Sequence, residues 1–336
     1  MSRPATKLLA DHEIVAVGKG GVISRDAFRR RVNMLIDAIV ARRARRWALL
    51  CDDSGWYAAG FVALTASKRT VVLPQAPQAG SLHASGANID AILTDRPEEV
   101  ANCETLAVAE PGESISAAPR APDDAARIES WTSGSGGASK CVVKQFAQLR
   151  LEAAALEREW GERLGDALVV GTVPHHHPYG LMVRILWPLA CGRTFVTDAC
   201  THAAALRAAT AGRRCVIVSS PAFLSRIGNC SELPDAAQVA AVFSTGAPLA
   251  DAIAEKLGRD WGRAVTEIYG STETGGLAWR RWSETADRAL WTPIQGVEIG
   301  LRREAAGDRL WVRCSYAGAD HWAPTGDLVK CEPDGR

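Results

Sequence analysis

The chain has 336 residues, 47% hydrophobic and 23% charged, with 39 basic against 38 acidic side chains and a formal charge of +1. That composition belongs to a soluble globular protein; it excludes a disordered chain, a collagen-like fibre and a small disulfide scaffold. No run approaches the ~18 apolar residues of a membrane helix, and the near-neutral balance leaves no electrostatic footprint for nucleic acid. The start, Met1 to Lys7, has no apolar stretch behind it, so no secretory signal is read. The nine cysteines form no Cys-x-x-Cys and no repeating pair pattern, as expected of reduced thiols in a cytoplasmic protein. Only seven of the basic residues are lysine, which leaves few candidates for a catalytic ammonium.

The first predicted element is a helix from Ser24 to Arg46, with Phe28, Val32, Leu35, Ile36 and Ile39 at helical spacing. Its other face carries Arg29, Arg30, Arg42, Arg43, Arg45 and Arg46. A nucleic-acid arm and a solvated face are the two readings. The lack of interleaved aromatics and of net basic charge favours the solvated face. Trp47 to Cys51 reads as a buried strand, Ser54 to Ser67 as a helix, and Thr70 to Leu73 as a strand stopped by Pro74. Asp90 to Asp95 is a further strand, and 101–127 reads as a loop or loosely packed connector. Strands then follow at Ala167–Val173, Thr194–Val196, Cys215–Val218 and Val239–Phe243. Strands alternating with helices predict an α/β fold with parallel sheets. Beyond residue 276 the pattern turns to alternation, Val297–Leu301 against Leu310–Cys314 with a turn at Ala306-Gly307-Asp308, which predicts an antiparallel β-rich end.

Four stretches carry chemistry. The first is Thr132-Ser133-Gly134-Ser135-Gly136-Gly137-Ala138-Ser139-Lys140. Three glycines let backbone N–H groups turn inward, and hydroxyls and an ammonium add donors, which suits a polyphosphate. It is not a Walker A loop, because Ser139 and Cys141 flank the lysine. The second is Pro174-His175-His176-His177-Pro178-Tyr179-Gly180, at the C-terminal end of a strand, where α/β sheets hold ligands. Three adjacent histidines invite a metal, but consecutive side chains in extended backbone point to alternate faces. Plain loop packing and a substrate-side role for His177 stand beside that reading. The third is Glu267 to Gly276, where Tyr269 offers a ring for a base and Glu273 a carboxylate for Mg²⁺. The fourth is Thr325-Gly326-Asp327, whose carboxylate suits ribose hydroxyls.

In this order the four resemble the adenylate-forming superfamily of acyl-CoA synthetases, aryl-acid ligases and peptide-synthetase adenylation domains. The first resembles that family's Thr-Ser-Gly-Ser-Thr-Gly-x-Pro-Lys-Gly, with Gly136, Ser139 and Cys141 departing from it. His177 to Gly180 resembles its His-x-x-Gly, Tyr269 to Glu273 its Tyr-Gly-x-Thr-Glu, and Thr325 to Asp327 its Thr-Gly-Asp. Gly246-Ala247-Pro248-Leu249 resembles the segment that lines adenine.

The resemblance implies a large N-terminal α/β domain made of two stacked parallel-type subdomains, 46–200 and 1–45 with 201–275, plus a small β-rich subdomain, 276–336. It implies activation of a carboxylic acid by MgATP to acyl-AMP, then transfer to the thiol of CoA or of a carrier-protein phosphopantetheine. The roles implied are Thr132, Ser133, Gly134, Ser135, Gly136, Gly137 and Lys140 for the β- and γ-phosphates, and Thr272 for the α-phosphate. Glu273 would take Mg²⁺. Tyr269 and Gly246, Ala247 and Pro248 would sandwich adenine, Gly270 and Ser271 would contact the nucleotide, and Asp327 would bind the ribose. His177 would sit by the acyl carboxylate and the thiol route. Tyr179, Met182, Val183, Gly275, Gly276 and Leu277 would line the acid, with the two glycines leaving room for a flat ring; an aryl or medium-chain acid is expected. The family continues into a small C-terminal domain bearing a lysine that bridges carboxylate and α-phosphate, whereas this sequence stops at Arg336. The lid is therefore expected to be absent, and the chain to bind nucleotide but adenylate slowly. A non-catalytic nucleotide- or acyl-binding module and a metal-dependent hydrolase built on His175 to His177 are the competing readings.

Overall fold

The computed structural model describes residues 13–75, 88–100, 103–112, 114–133, 139–230, 232–282, 290–318 and 321–330. They divide into two compact units. One holds the described residues of Pro4–Arg150 and Pro174–Asp198, the other those of Leu151–Val173 and Ala199–Arg336.

In the first unit, the Arg25–Val40 helix starts where Ser24 accepts the Ala27 N–H at 3.1 Å, and it buries Phe28, Val32, Leu35, Ile36 and Ile39. It stops at Val40, short of the expected Arg46. The cause lies far along the chain. The Asp90 carboxylate accepts the backbone N–H groups of Arg45 and Arg46 at 2.8 and 2.9 Å and fixes the start of the Arg46–Leu50 strand. The Ser54–Ala66 helix is capped by Asp53 and is buried almost all round, between the Arg25–Val40 helix and the sheet. The sheet runs Glu104–Ala107, Ala91–Thr94, Arg46–Leu50, Thr70–Leu73, Arg127–Ser133, Ser139–Gln145. Its first five strands are parallel and the last is antiparallel. The strand at Glu104–Ala107 corrects the reading of 101–127 as a loosely packed connector. Further along that stretch, the carbonyls of Ser116 and Ala118 accept from the buried Asn33 amide. The unit also carries Phe195–Val196 parallel to Ile14–Gly18, itself antiparallel to Gly21–Ser24.

The second unit holds the strands Leu168–Gly171, Cys215–Ser219, Val239–Ser244 and Thr266–Ser271, parallel and in that order, extended by antiparallel Gly275–Arg281 and Thr292–Pro293. The inner strands are continuous apolar runs such as Cys215-Val-Ile-Val-Ser219, as strands covered on both faces require. Trp160 packs edge-on to Phe243 at 4.9 Å, and Trp261 is fully buried. A separate antiparallel sheet of Glu298–Glu304, Gly307–Arg313 and Ala323–Leu328 follows, as the alternation beyond residue 276 predicts. No helix among the described residues is long and apolar enough to cross a membrane.

Candidate active site

The expected site residues are distributed over both units. In the second unit, the Val239–Ser244 strand runs into Gly246, Ala247 and Pro248, all exposed, and the chain then dives at buried Leu249. Thr245 holds this segment to the next strand, its hydroxyl donating to the Ile268 carbonyl. Tyr269 is half-buried near the end of that strand, and its hydroxyl donates to the Asp327 carboxylate. Burial, followed by that hydrogen bond to a carboxylate, pushes the Tyr269 phenol up to about 12. The expected base platform and the expected ribose acceptor thus touch, although 58 residues separate them.

Beyond Tyr269 the chain folds back as a hairpin, pairing Gly270 with Gly276 and Ser271 with Gly275. A Cβ at Gly270 would lie 2.1 Å from the Gly275 carbonyl oxygen, so only glycine fits there. The Ser271 and Thr274 hydroxyls cross-brace the tip, leaving Thr272 half-buried and the Glu273 carboxylate exposed. The space beside Gly275 is not open to a ring. The buried Glu152 carboxylate fills it, 2.5 Å from where a Cβ would stand, and accepts the Gly276 N–H at 3.0 Å. Leu277 is buried in the core.

In the first unit, the expected phosphate loop joins the Arg127–Ser133 and Ser139–Gln145 strands, with Thr132 opposite Lys140. Thr132 is half-buried and Lys140 exposed. The side chain of Ser133, and Gly134, Ser135, Gly136 and Gly137, lie outside the described residues. At the base of this hairpin, Glu129 is 2% exposed and is clamped by Arg46 at 2.7 and 2.6 Å and by Arg127 at 2.7 Å. Burial alone would raise its pKa; the two guanidiniums outweigh burial and hold the carboxyl below its ordinary value.

Two histidines of the same unit, His175 and His177, have separate fates. His175 is buried, its Nε2–H donating to the Cys51 carbonyl at 2.8 Å and its Nδ1 accepting from the Ser54 hydroxyl at 2.9 Å. The carbonyl fixes the tautomer, since it can only accept. Ser54 in turn accepts from Arg184, which is 0% exposed and also donates to the Val196 and Thr197 carbonyls. Burial first, then the Arg184 charge, drives His175 down to about 3, so it stays neutral. With both ring nitrogens engaged, His175 cannot serve as a metal ligand. His177 is exposed and caps the Pro178–Gly180 turn, its Nδ1 accepting the Tyr179 N–H at 3.4 Å. Gly180 is required by closeness: a Cβ there would lie 2.0 Å from the Pro174 carbonyl oxygen. A π-helical segment, Leu181–Leu186, follows and buries Met182 and Val183. The Tyr179 hydroxyl is buried without a hydrogen-bond partner among the described residues, and burial raises its pKa.

A family model described as AMP-binding enzyme matches residues 52–310. The chain belongs to the AMP-binding enzyme family. The match covers the first three motif stretches and the Gly246–Pro248 segment, but the fourth, with Asp327, lies beyond it. A 4-coumarate–CoA ligase of Rhodobacter capsulatus is 34% identical over 153 residues, 45% of this chain and 38% of that protein. The chain spans less than half the length of the curated relatives it matches. ATP-bound MatB from Rhodopseudomonas palustris superposes with a TM-score of 0.80 at 19% identity, over 97% of this chain and 75% of that one. A benzoate CoA ligase from Burkholderia xenovorans LB400 gives 0.75 at 19% identity, over 96% and 75%. These likenesses show that this AMP-binding enzyme has the ligases' N-terminal fold.

Glu152, Arg184, Arg280 and Trp291 also belong to the surroundings of the motifs, and sequence reasoning passed over all four; Glu267 opened the third stretch but was given no role. Glu152 carried one signal, a lone carboxylate at the edge of the Ala153-Ala154-Ala155 run on a helix face that must be buried.

Proposed function

We propose that this AMP-binding enzyme activates a carboxylic acid with ATP to an acyl-adenylate and passes the acyl group to a thiol of CoA or of a carrier-protein phosphopantetheine. The observation that carries the reading is the Tyr269–Asp327 contact beside the exposed Gly246–Pro248 segment. A ring, a ribose-type acceptor and accessible backbone are what an adenosine needs. The anionic acid must meet an anionic phosphate, so the work of the site is positioning and charge neutralisation. Thr132 and Lys140 are assigned to the β- and γ-phosphates, Thr272 to the α-phosphate, and His177 to the carboxylate and thiol side. Glu273 offers the hard carboxylate oxygen that Mg²⁺ takes, and an ion held there would offset phosphate charge.

An aryl acid is the favoured substrate, since the relatives include proteins named for coumarate and benzoate. With Glu152 filling the space beside Gly275, that position is withdrawn from the lining proposed for the ring. Hydroxamate-trapped adenylation across a panel of carboxylic acids tests the proposal. Acid-dependent hydroxamate with an aryl preference is the expected result. AMP binding with no hydroxamate from any acid would instead leave a non-catalytic binding module, and no AMP binding would overturn the nucleotide reading.

A further inference from the structure

The second unit joins its nucleotide-side residues through three side chains that the motifs give no role: Glu267, which opens the third stretch, Arg280 and Trp291. Glu267 is 3% exposed, and its Oε1 accepts the Leu249 N–H at 2.8 Å, directly after the Gly246–Pro248 segment. The same carboxylate accepts from Arg280 Nε at 2.9 Å and Nη2 at 3.2 Å, across the strand pair that sets these two residues opposite each other. The Arg280 guanidinium lies over the Trp291 ring, 4.5 Å from its centre. Trp291 packs against the Tyr269 ring at 5.6 Å and 56°. Tyr269 and Glu267 stand two apart on one strand and so share a face. The Tyr269 hydroxyl then reaches Asp327.

Each link is directional. A two-point guanidinium–carboxylate pair fixes the plane of the arginine, which a lysine cannot do. A planar cation over an indole fixes the indole in turn. A tilted indole against the phenol limits how far that ring can turn.

We propose, resting on the adenylate-forming reading above, that Arg280 and Trp291 are positioning residues for an adenine nucleotide. They hold the Tyr269 ring as the platform for the base and, through its hydroxyl, the Asp327 carboxylate for the ribose; Glu267 couples the same arginine to the Gly246–Leu249 segment. A purely structural role would lower stability and affect the two substrates alike. A positioning role affects the nucleotide and leaves the acid.

The test titrates AMP into the protein by calorimetry and measures KM for ATP and for the acid. Trp291→Ala is expected to weaken AMP about tenfold, and Trp291→Phe to recover it to within about threefold. Arg280→Lys, which keeps the charge beside Glu267 but not the stacked plane, is expected to lose about fivefold. KM for ATP rises in step while KM for the acid holds. AMP affinity within about twofold of wild type in folded Trp291→Ala, or in Arg280→Lys should the alanine variant not fold, overturns the proposal. An equal rise in both KM values, or a loss that Trp291→Phe does not restore, also overturns it. A wild-type chain that binds no AMP fails for a different reason, since it removes the nucleotide reading itself.

Discussion

Two β-hairpins, one in each unit, are built on the same device. In the Arg127–Ser133/Ser139–Gln145 hairpin, Glu129 is buried at the base and clamped by Arg46 and Arg127. In the Thr266–Ser271/Gly275–Arg281 hairpin, Glu267 is buried at the base and clamped by Arg280. The tips of both carry residues assigned to phosphate. The clamps differ in where they lead. Arg46 opens a central strand, so the first clamp locks the hairpin into its sheet. Arg280 leads outward through Trp291 to Tyr269, so the second ends at a half-exposed ring. One buried ion pair can therefore serve mainly the fold and another mainly a binding surface, and only the next contact along tells which.

The sharpest way to break this comparison is Arg46→Met. Removing one partner of a buried carboxylate costs about 3–5 kcal/mol; because Arg127 remains, the loss is expected at about 3 kcal/mol by urea denaturation. AMP lacks the β- and γ-phosphates assigned to that hairpin, so its affinity should not change. A large loss of AMP affinity in a folded variant would erase the distinction between the clamps. Asp327→Ala is the mirror experiment. It is expected to weaken AMP by roughly 1.5–3 kcal/mol, the scale of hydrogen bonds to a charged group, with little change in stability. Unchanged calorimetric affinity would remove Asp327 from the ribose.

Glu129 and His175, both in the first unit, extend the contrast to pH. Glu129 has its pKa lowered by folding, so its clamp stabilises fully above the ordinary value of 4.5 and is lost as pH falls through the folded value. The stability difference between wild type and Arg46→Met should therefore shrink in acid. His175 is also lowered, to about 3 from 6.5, but here the protonated form is the charged one. Between those values the unfolded chain binds the extra proton, so stability falls as pH drops from 6.5. His175→Gln should flatten that slope in urea midpoints taken across the range; a slope equal to wild type would mean the imidazole is not held neutral. The smallest effect is expected from Tyr269→Phe. It removes one hydroxyl from Asp327 but keeps the ring, and should change AMP affinity by about 1 kcal/mol or less. A larger loss would make the hydroxyl, not the ring, the main contact.

Much of this was legible in the chain. The glycines at 180 and 270 belong to motifs because a backbone carbonyl passes within 2.0 and 2.1 Å of where a Cβ would stand. The strands at Cys215–Ser219 and Val239–Ser244 announce themselves as apolar runs. What stayed hidden depends on distant partners. The arginine run after Val40 reads as helix until Asp90 takes the N–H groups of Arg45 and Arg46. Glu104–Ala107 buries a single residue, Leu106, too little to mark a strand by pattern alone. Arg280 and Trp291 look like ordinary surface residues until a strand pairing sets one opposite Glu267 and a stack joins it to the other. The room for a ring beside Gly275 was misjudged because its occupant, Glu152, sits more than a hundred residues earlier.

That last contact makes positions 152 and 275 a single heritable unit. A side chain at 275 must expel the carboxylate that holds the Gly276 N–H, and it must do so at a φ of +75°, where L-residues are strained. A lineage, natural or selected in the laboratory, that places a side chain at 275 has to move Glu152 as well. Drift at Gly275 alone is closed to it.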